Sequence, residues 1–188
     1  MGYKNEDGTF SIIAHGSENC ISCVRRGNIY NFDETANHIN NLIINLESQL
    51  SGCVIDKIYI GIGGQSLQAV NHIEHKKIKK DAIINVDDLL DLLEQCLKNK
   101  TDSLRMIDIA QTIYYVDGEK ETCPVGLFGK VLEGHFKLIL CRESVSSNIK
   151  NCFQKIERKG IAGIFASPQS LAEVALSDND KELGVRAY

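Results

Sequence analysis

Three groups of residues in this sequence have types and spacings that could do chemistry. The first is "YIGIGGQS", Tyr59 to Ser66, with three glycines in four residues at the end of an alternating apolar run. Glycine turns after strands hold phosphates on backbone N–H groups, but each version of that chemistry makes further demands. A dinucleotide fingerprint needs G-x-G-x-x-G leading straight into a helix. Gly61 and Gly63 fit, yet Ser66 stands where the third glycine belongs, and the residues after it read as extended. A P-loop needs Lys and then Ser or Thr after its last glycine, and here Gln65 follows Gly64. The glycines are therefore expected to serve a bulge or tight turn, where φ is positive or a second backbone comes close.

The second group is Cys20 and Cys23, a CxxC. Such a pair supplies half of a tetrahedral zinc site, or a redox couple, but the sequence has no second CxxC. His15 and His38 complete a site only if the fold brings them there, so the spacing alone reads as a loop with two ordinary thiols. The third group is His72 and His75 beside "KKIKK", either a modest basic patch or, as expected here, a sheet edge kept soluble by lysine. Asp87, Asp88, Asp91 and Glu94 crowd one helix and read as its solvated face. No Ser-His-Asp or Cys-His arrangement is inferred, and no catalytic, cofactor-binding or metal-binding residue is assigned.

The elements that must position these groups alternate along the chain. "GTFSIIAHG" reads as a strand whose hairpin partner is expected before Met1, and "SENCISCVRRGN" as a polar loop. Ala36, Ile39, Ile43, Leu46 and Leu50 recur at helical spacing, with Asp33 as the expected cap and a stop near Gly52. Ile58, Ile60 and Ile62 alternate as a strand, and an extended stretch follows through "SLQAVNHIEHKKI". Val86, Leu89, Leu90, Leu93 and Leu97 form a second helical stripe behind the Asn85 and Asp88 capping pair. "RMIDIAQTIYYVDGEK" alternates into an Asp-Gly turn, and "KVLEGHFKLILCR" places Leu132, Phe136, Leu138 and Leu140 on one face around Gly134. A helix capped by Ser144 carries Val145, Ile149, Cys152, Phe153 and Ile156 and ends at Gly160. "IAGIFAS" reads as a strand, "PQSLAEVAL" as a short helix opened by Pro168, "SDNDKEL" as a turn and "GVRAY" as the start of another extended segment.

Composition narrows what such an α+β or α/β chain does. Its 188 residues are 43% hydrophobic and 24% charged, enough for one domain or two small ones. The net charge of −4 gives no field that would gather nucleic acid or an acidic membrane. No apolar run approaches the roughly 18 residues of a membrane span, and the N-terminus has no signal-peptide pattern. Seven cysteines, an odd number spread through ordered segments, argue for a reducing compartment, with most of them small core residues, so the expected location is cytoplasmic.

The segments "VRRGNIYNFDETANHINNLIINLESQL", "DKIYIGIGGQSLQAV", "TCPVGLFGKVLEGHFKLIL" and "IAGIFASPQSLAEVALSDNDKELGV" occur in an order and at a spacing that resemble the first half of the bacterial FtsA family of actin-like cell-division proteins. The resemblance covers nearly the whole chain and is nearest in character to members from Bacteroidetes. It implies an incomplete actin-like, ribonuclease H-like subdomain 1A, residues 1–56 and 160–188, interrupted by the FtsA-type subdomain 1C, residues 57–159. The glycine turn then belongs to the first strand region of 1C, remote from nucleotide.

In the family, ATP and Mg sit between two halves, on a "D-x-G-[ST]" loop and a "D-x-G-x-x-T" loop. The resemblance implies that this sequence starts after the first and stops at Gly184, Val185, Arg186, Ala187 and Tyr188, before the second. It also implies that the half which docks the ring protein FtsZ, and the C-terminal membrane-binding helix, lie outside. The expectation is a non-catalytic piece of a division scaffold, whether expressed as a piece or encoded short, that binds no cofactor itself. It would assemble with its own kind and with later division proteins through 1C, at the cytoplasmic face of the inner membrane. The alternatives are an actin-like ATPase, from this family or a pilus-assembly relative, whose site is completed by other segments, and a thiol or metal protein using Cys20 and Cys23.

Overall fold

A computed structural model describes residues 1–50, 52–79, 82–98, 103–156, 160–177 and 179–180. "GVRAY" and most of "SDNDKEL" lie outside the described residues. The chain divides into two units, Met1–Ser66 with Ser144–Ile164, and Leu67–Glu143 with the described part of Phe165–Tyr188.

The first unit opens with a hairpin of β1 (Gly2–Lys4) and β2 (Phe10–Ile12), antiparallel with Tyr3 opposite Ser11. This corrects the expectation that the partner of β2 precedes Met1. Gly2–Lys4 has no alternating apolar pattern to announce a strand, and the turn between, with Asp7 accepting from the Thr9 backbone N–H at 2.9 Å, folds it back. A second small hairpin, β3 (Val24–Arg25) and β4 (Asn28–Ile29), lies in what reads as a polar loop. Its two-residue turn puts Arg26 at φ 50° and Gly27 at φ 79°, the left-handed pair that matches strand twist.

Helix α1 (Phe32–Gln49) is capped by Asn31, not Asp33: the Asn31 side chain accepts from the Glu34 N–H at 3.1 Å. Asn31 keeps extended backbone, φ −126°, whereas Asp33 is already helical and lends its charge to the first turn. Ala36 and Ile43 are buried, as the stripe predicts. Strand β5 (Lys57–Ile62) pairs with β10 (Gly160–Ala166), and a 3₁₀ turn, Gly64–Ser66, ends the stretch after β5. Helix α3 (Glu143–Gln154) begins one residue before the expected cap Ser144, which therefore sits inside its first turn. Its Val145, Ile149, Cys152 and Phe153 are buried.

The second unit is a four-stranded antiparallel sheet in the order β6 (Leu67–Lys77), β9 (Val131–Arg142), β7 (Leu104–Val116) and β8 (Glu119–Glu121). Helix α2 (Val86–Lys98) covers one face. The expected capping pair is reciprocal: Asn85 Oδ1 accepts from the Asp88 N–H at 3.1 Å, and Asp88 Oδ2 accepts from the Asn85 N–H at 2.9 Å. The core is Ile84, Leu92, Cys96, Val116, Leu132, Phe136 and Leu138. The alternation on β9 is the one expected, and buried Gly134 leaves room for the Phe136 ring, which would stand 2.7 Å from any Cβ there. The Asp-Gly turn joins β7 to β8 with Asp117 at φ 50° and Gly118 at φ 89°. The Asp117 carboxylate accepts from the Lys130 and Val131 N–H groups, fixing where β9 starts. Helix α4 (Ser167–Ala175) opens on Pro168 as expected. The arrangement is mixed α/β, compatible with an actin-like fold.

Candidate functional site

The glycine stretch resolves into a contact between two turns of the first unit. Gly64 has φ 81°, and a Cβ on it would lie 3.0 Å from the Arg26 carbonyl oxygen. From the other side, a Cβ on Gly27 would lie 2.2 Å from the Gly63 oxygen. Two backbones therefore meet where a side chain would intrude. Ser66 is buried and donates to the Gly63 carbonyl at 3.2 Å, while Arg26 Nη1 donates to Gln65 Oε1 at 3.3 Å. The Gly63 carbonyl is occupied by the Ser66 hydroxyl, and the space beside Gly64 is filled by the Arg26 backbone. This is the tight turn and close approach expected of it.

The cysteine loop departs from expectation. The chain wraps so that the Cys23 and Val24 N–H groups both donate to the Cys20 carbonyl, at 3.2 and 2.9 Å. The Tyr30 N–H donates to the Cys23 carbonyl at 2.8 Å, which ties the loop to the start of α1. Cys23 is fully buried, and Cys20 and Cys23 are joined as a disulfide with a Cα–Cα distance of 5.4 Å. Two turns into α1, His38 brings a ring nitrogen to within 4.8 Å of both sulfurs. Its Nδ1 lies 3.0 Å from Glu18 Oε2. The two cysteines are thus not an isolated pair of ordinary thiols: of the two candidate histidines, the fold delivers His38, while His15 is exposed and outside the cluster.

In the second unit the histidines and lysines are placed by register. β6 is an edge strand, as expected, but Lys76 is not free in water. It faces the α2 side and pairs with Asp88 at 2.7 Å and with Asp91. Asp88 is accordingly half-buried, which corrects the reading of all four acids as a solvated face; Asp87, Asp91 and Glu94 remain exposed. Burial works to lower the Lys76 pKa, but the hydrogen bonds to Asp88 and Asp91 carry it above its ordinary value. Burial likewise works to raise Asp88, and the bonds from Lys76 and the Asn85 N–H hold it below. His72 pairs with Glu74 at 2.7 Å. On the opposite sheet face, Glu133 lies 3.0 Å from His135 and 3.8 Å from His75, and His135 packs on Tyr115 with ring centroids 4.4 Å apart. His75–Glu133 and Tyr115–His135 cross between strands, whereas His72–Glu74 and Glu133–His135 each lie within one strand. Cys96, Cys141 and Cys152 are buried, and burial pushes the Cys96 and Cys152 thiols up, so they behave as core residues. No described helix is long and apolar enough to cross a membrane.

No family model matches the chain. It is similar to the cell division protein FtsA of Porphyromonas gingivalis, 31% identical over 183 residues, which are 96% of this chain and 38% of that protein. It is similar also to the cell division protein FtsA of Pseudomonas aeruginosa, 24% identical over 188 residues, 98% of this chain and 44% of that one. The chain therefore spans about two-fifths of the length of the curated relatives it matches.

Proposed function

The chain is FtsA-like along nearly its whole length, and we propose that it serves cell division as an assembly and interaction module, without catalysis of its own. The observation that carries this reading is the 31% identity sustained over 96% of the chain. On this reading residues 1–56 and 160–188 belong to subdomain 1A and residues 57–159 to subdomain 1C. Subdomain 1C joins copies of the protein and engages later division proteins, at the cytoplasmic face of the inner membrane. FtsZ and the membrane are reached through parts of the family's architecture other than these residues.

Two physical features support an assembly role. The edge strand β6 carries eleven residues, with Val70 and Ile73 exposed, so it offers both backbone groups and apolar side chains to another chain. In the first unit Phe10, Ile12 and Tyr59 are also strongly exposed on two-stranded sheets, which suits burial against further protein. Neither phosphate-loop motif of the family occurs in the 188 residues, and in the glycine-rich turn the space at Gly64 is filled by the Arg26 backbone. Phosphoryl transfer depends on placed donors and a metal-holding acid, so nucleotide chemistry requires other segments.

The test sets this chain, with Mg-ATP in a calorimeter, beside a chimera in which it replaces the matching stretch of the Porphyromonas gingivalis FtsA. We expect heat of binding and filaments by electron microscopy only from the chimera. Tight ATP binding by the 188 residues alone would overturn the non-catalytic reading. A chimera that binds ATP yet forms no filaments, where the parent does, would overturn the assembly role.

A further inference from the structure

We propose that, when reduced, Cys20, Cys23 and His38 form a binding site for a zinc-class divalent cation. This is independent of the assembly reading. Three ligand atoms of the elements zinc prefers, two cysteine sulfurs and an imidazole nitrogen, lie within 4.8 Å of one another. Tetrahedral ligands at zinc's usual bond lengths stand about 3.6 Å apart, so once the S–S bond is broken the two sulfurs must rotate apart to that spacing while His38 closes in. The ligands come from two different elements, a wrapped loop and a capped helix, each held by its own hydrogen bonds.

A second observation points the same way. Glu18 Oε2 sits 3.0 Å from His38 Nδ1, the arrangement in which a carboxylate takes the Nδ1 proton's hydrogen bond and leaves the lone pair on Nε2. A carboxylate behind a histidine raises its basicity and fixes its ring. Glu18 is therefore a positioning residue, and the fourth coordination position is open to water. Cys23 is fully buried whereas Cys20 and His38 are half-buried, so an ion enters from the side of Cys20 and His38. Its effect would be to clamp residues 18–23 onto α1.

The disulfide form cannot be a zinc ligand set, because its sulfurs carry no thiolate charge. Its conversion takes two electrons and two protons from a dithiol, which leaves as its own disulfide, and so breaks the S–S bond and yields two thiols. The cation then displaces both thiol protons, so binding releases two protons per metal.

The experiment is titration of the reduced, oxygen-free chain with cobalt(II) and then zinc(II), read by absorbance and by proton release in weak buffer. We expect one cobalt per chain, thiolate-to-cobalt charge-transfer bands with the visible bands of tetrahedral cobalt, about two protons released, and displacement by zinc. The double variant C20S/C23S should abolish the charge-transfer bands. H38A should weaken binding at least tenfold, and E18Q should weaken it less while keeping the stoichiometry. Helix content by circular dichroism shows that each variant is folded. Absence of charge-transfer bands in the reduced chain, or an H38A variant that binds as tightly as the unaltered chain, would overturn the proposal and leave the pair as a dithiol couple.

Discussion

The four-stranded sheet of the second unit and the turn cluster of the first differ in what holds their chemistry-bearing residues. In the sheet, Glu133 and His135 are held by register, opposite His75 and beside Tyr115 on neighbouring strands, and Lys76 on β6 meets Asp88 and Asp91 of the helix that covers the Ile84 to Leu138 core. In the turn cluster, Cys23, Gly27, Gly64 and His38 are held by hydrogen bonds between loops and by the absence of side chains where backbones touch. Register and the packing of α2 leave these titratable groups paired with neighbours and so chemically quiet. Loop convergence brings together groups, two sulfurs and an imidazole, that have no such reason to meet.

The largest effect that tests this contrast is expected in the sheet. Phe136 is 2% exposed at the middle of β9, where it packs beside Leu92 and over Gly134. Phe136→Ala removes a large buried side chain and leaves a cavity, a loss of about 3–5 kcal/mol. Urea titration followed by amide exchange in β6, β7 and β9 reads it. A loss below about 1 kcal/mol would mean that the sheet does not depend on this core.

The same contrast explains what was legible in the sequence. The alternation Leu132, Phe136, Leu138 could be read because burial against one neighbour imposes a period, whereas the expected α2 stripe is only partly right: Leu89 and Leu93 pack on the core, but Val86, Leu90 and Leu97 are exposed and the buried α2 positions are Leu92 and Cys96. The Asn85 and Asp88 cap and the Asp117-Gly118 turn could be read because their chemistry is local. Gly2–Lys4 could not: both ends of that three-residue strand are exposed, so no apolar period marks it. Nor could the approach of His38 to Cys20, since fifteen or more residues and two elements separate them and only the packed loop sets their distance. Lys76 reads as solvated in the sequence because its partners, Asp88 and Asp91, sit on a helix whose phase against the sheet no local pattern gives.

An intermediate effect is expected at the glycine turns. Gly27 has φ 79° and its added Cβ would meet the Gly63 oxygen at 2.2 Å; Gly52 has the same φ with nothing within 4 Å. Gly52→Ala therefore measures backbone strain alone, about 1 kcal/mol, and Gly27→Ala adds the collision, for about 1–3 kcal/mol in all. Amide exchange should loosen around residues 24–29 and 61–66 in Gly27→Ala, with the β9 amides unchanged. Equal losses in the two variants would show that the turns do not touch. A Gly27→Ala chimera of unchanged stability with lost ATP binding would return the glycines to phosphate chemistry.

The smallest effect distinguishes charge from packing in the sheet. Asp88, folded, titrates below its ordinary 3.8, so its contribution is whole above that value and is lost as pH falls through the folded one. Lys76, folded, titrates above its ordinary 10.5, so its contribution is whole below that value and is lost as pH rises through the folded one. The pair therefore stabilises across the window between the two. Lys76→Met keeps most of the stem, removes the charge and leaves half-buried Asp88 with the Asn85 N–H alone, for a loss of about 1 kcal/mol near neutrality. The difference from the unaltered chain should shrink on acidification past the Asp88 range, where the carboxyl is protonated in both. It should shrink again in strong alkali, where Lys76 itself becomes neutral. A difference that stayed flat across this range would assign the contribution of Lys76 to its methylene stem lying along α2, and the ion pair would then add nothing to the register that already holds β6 in place.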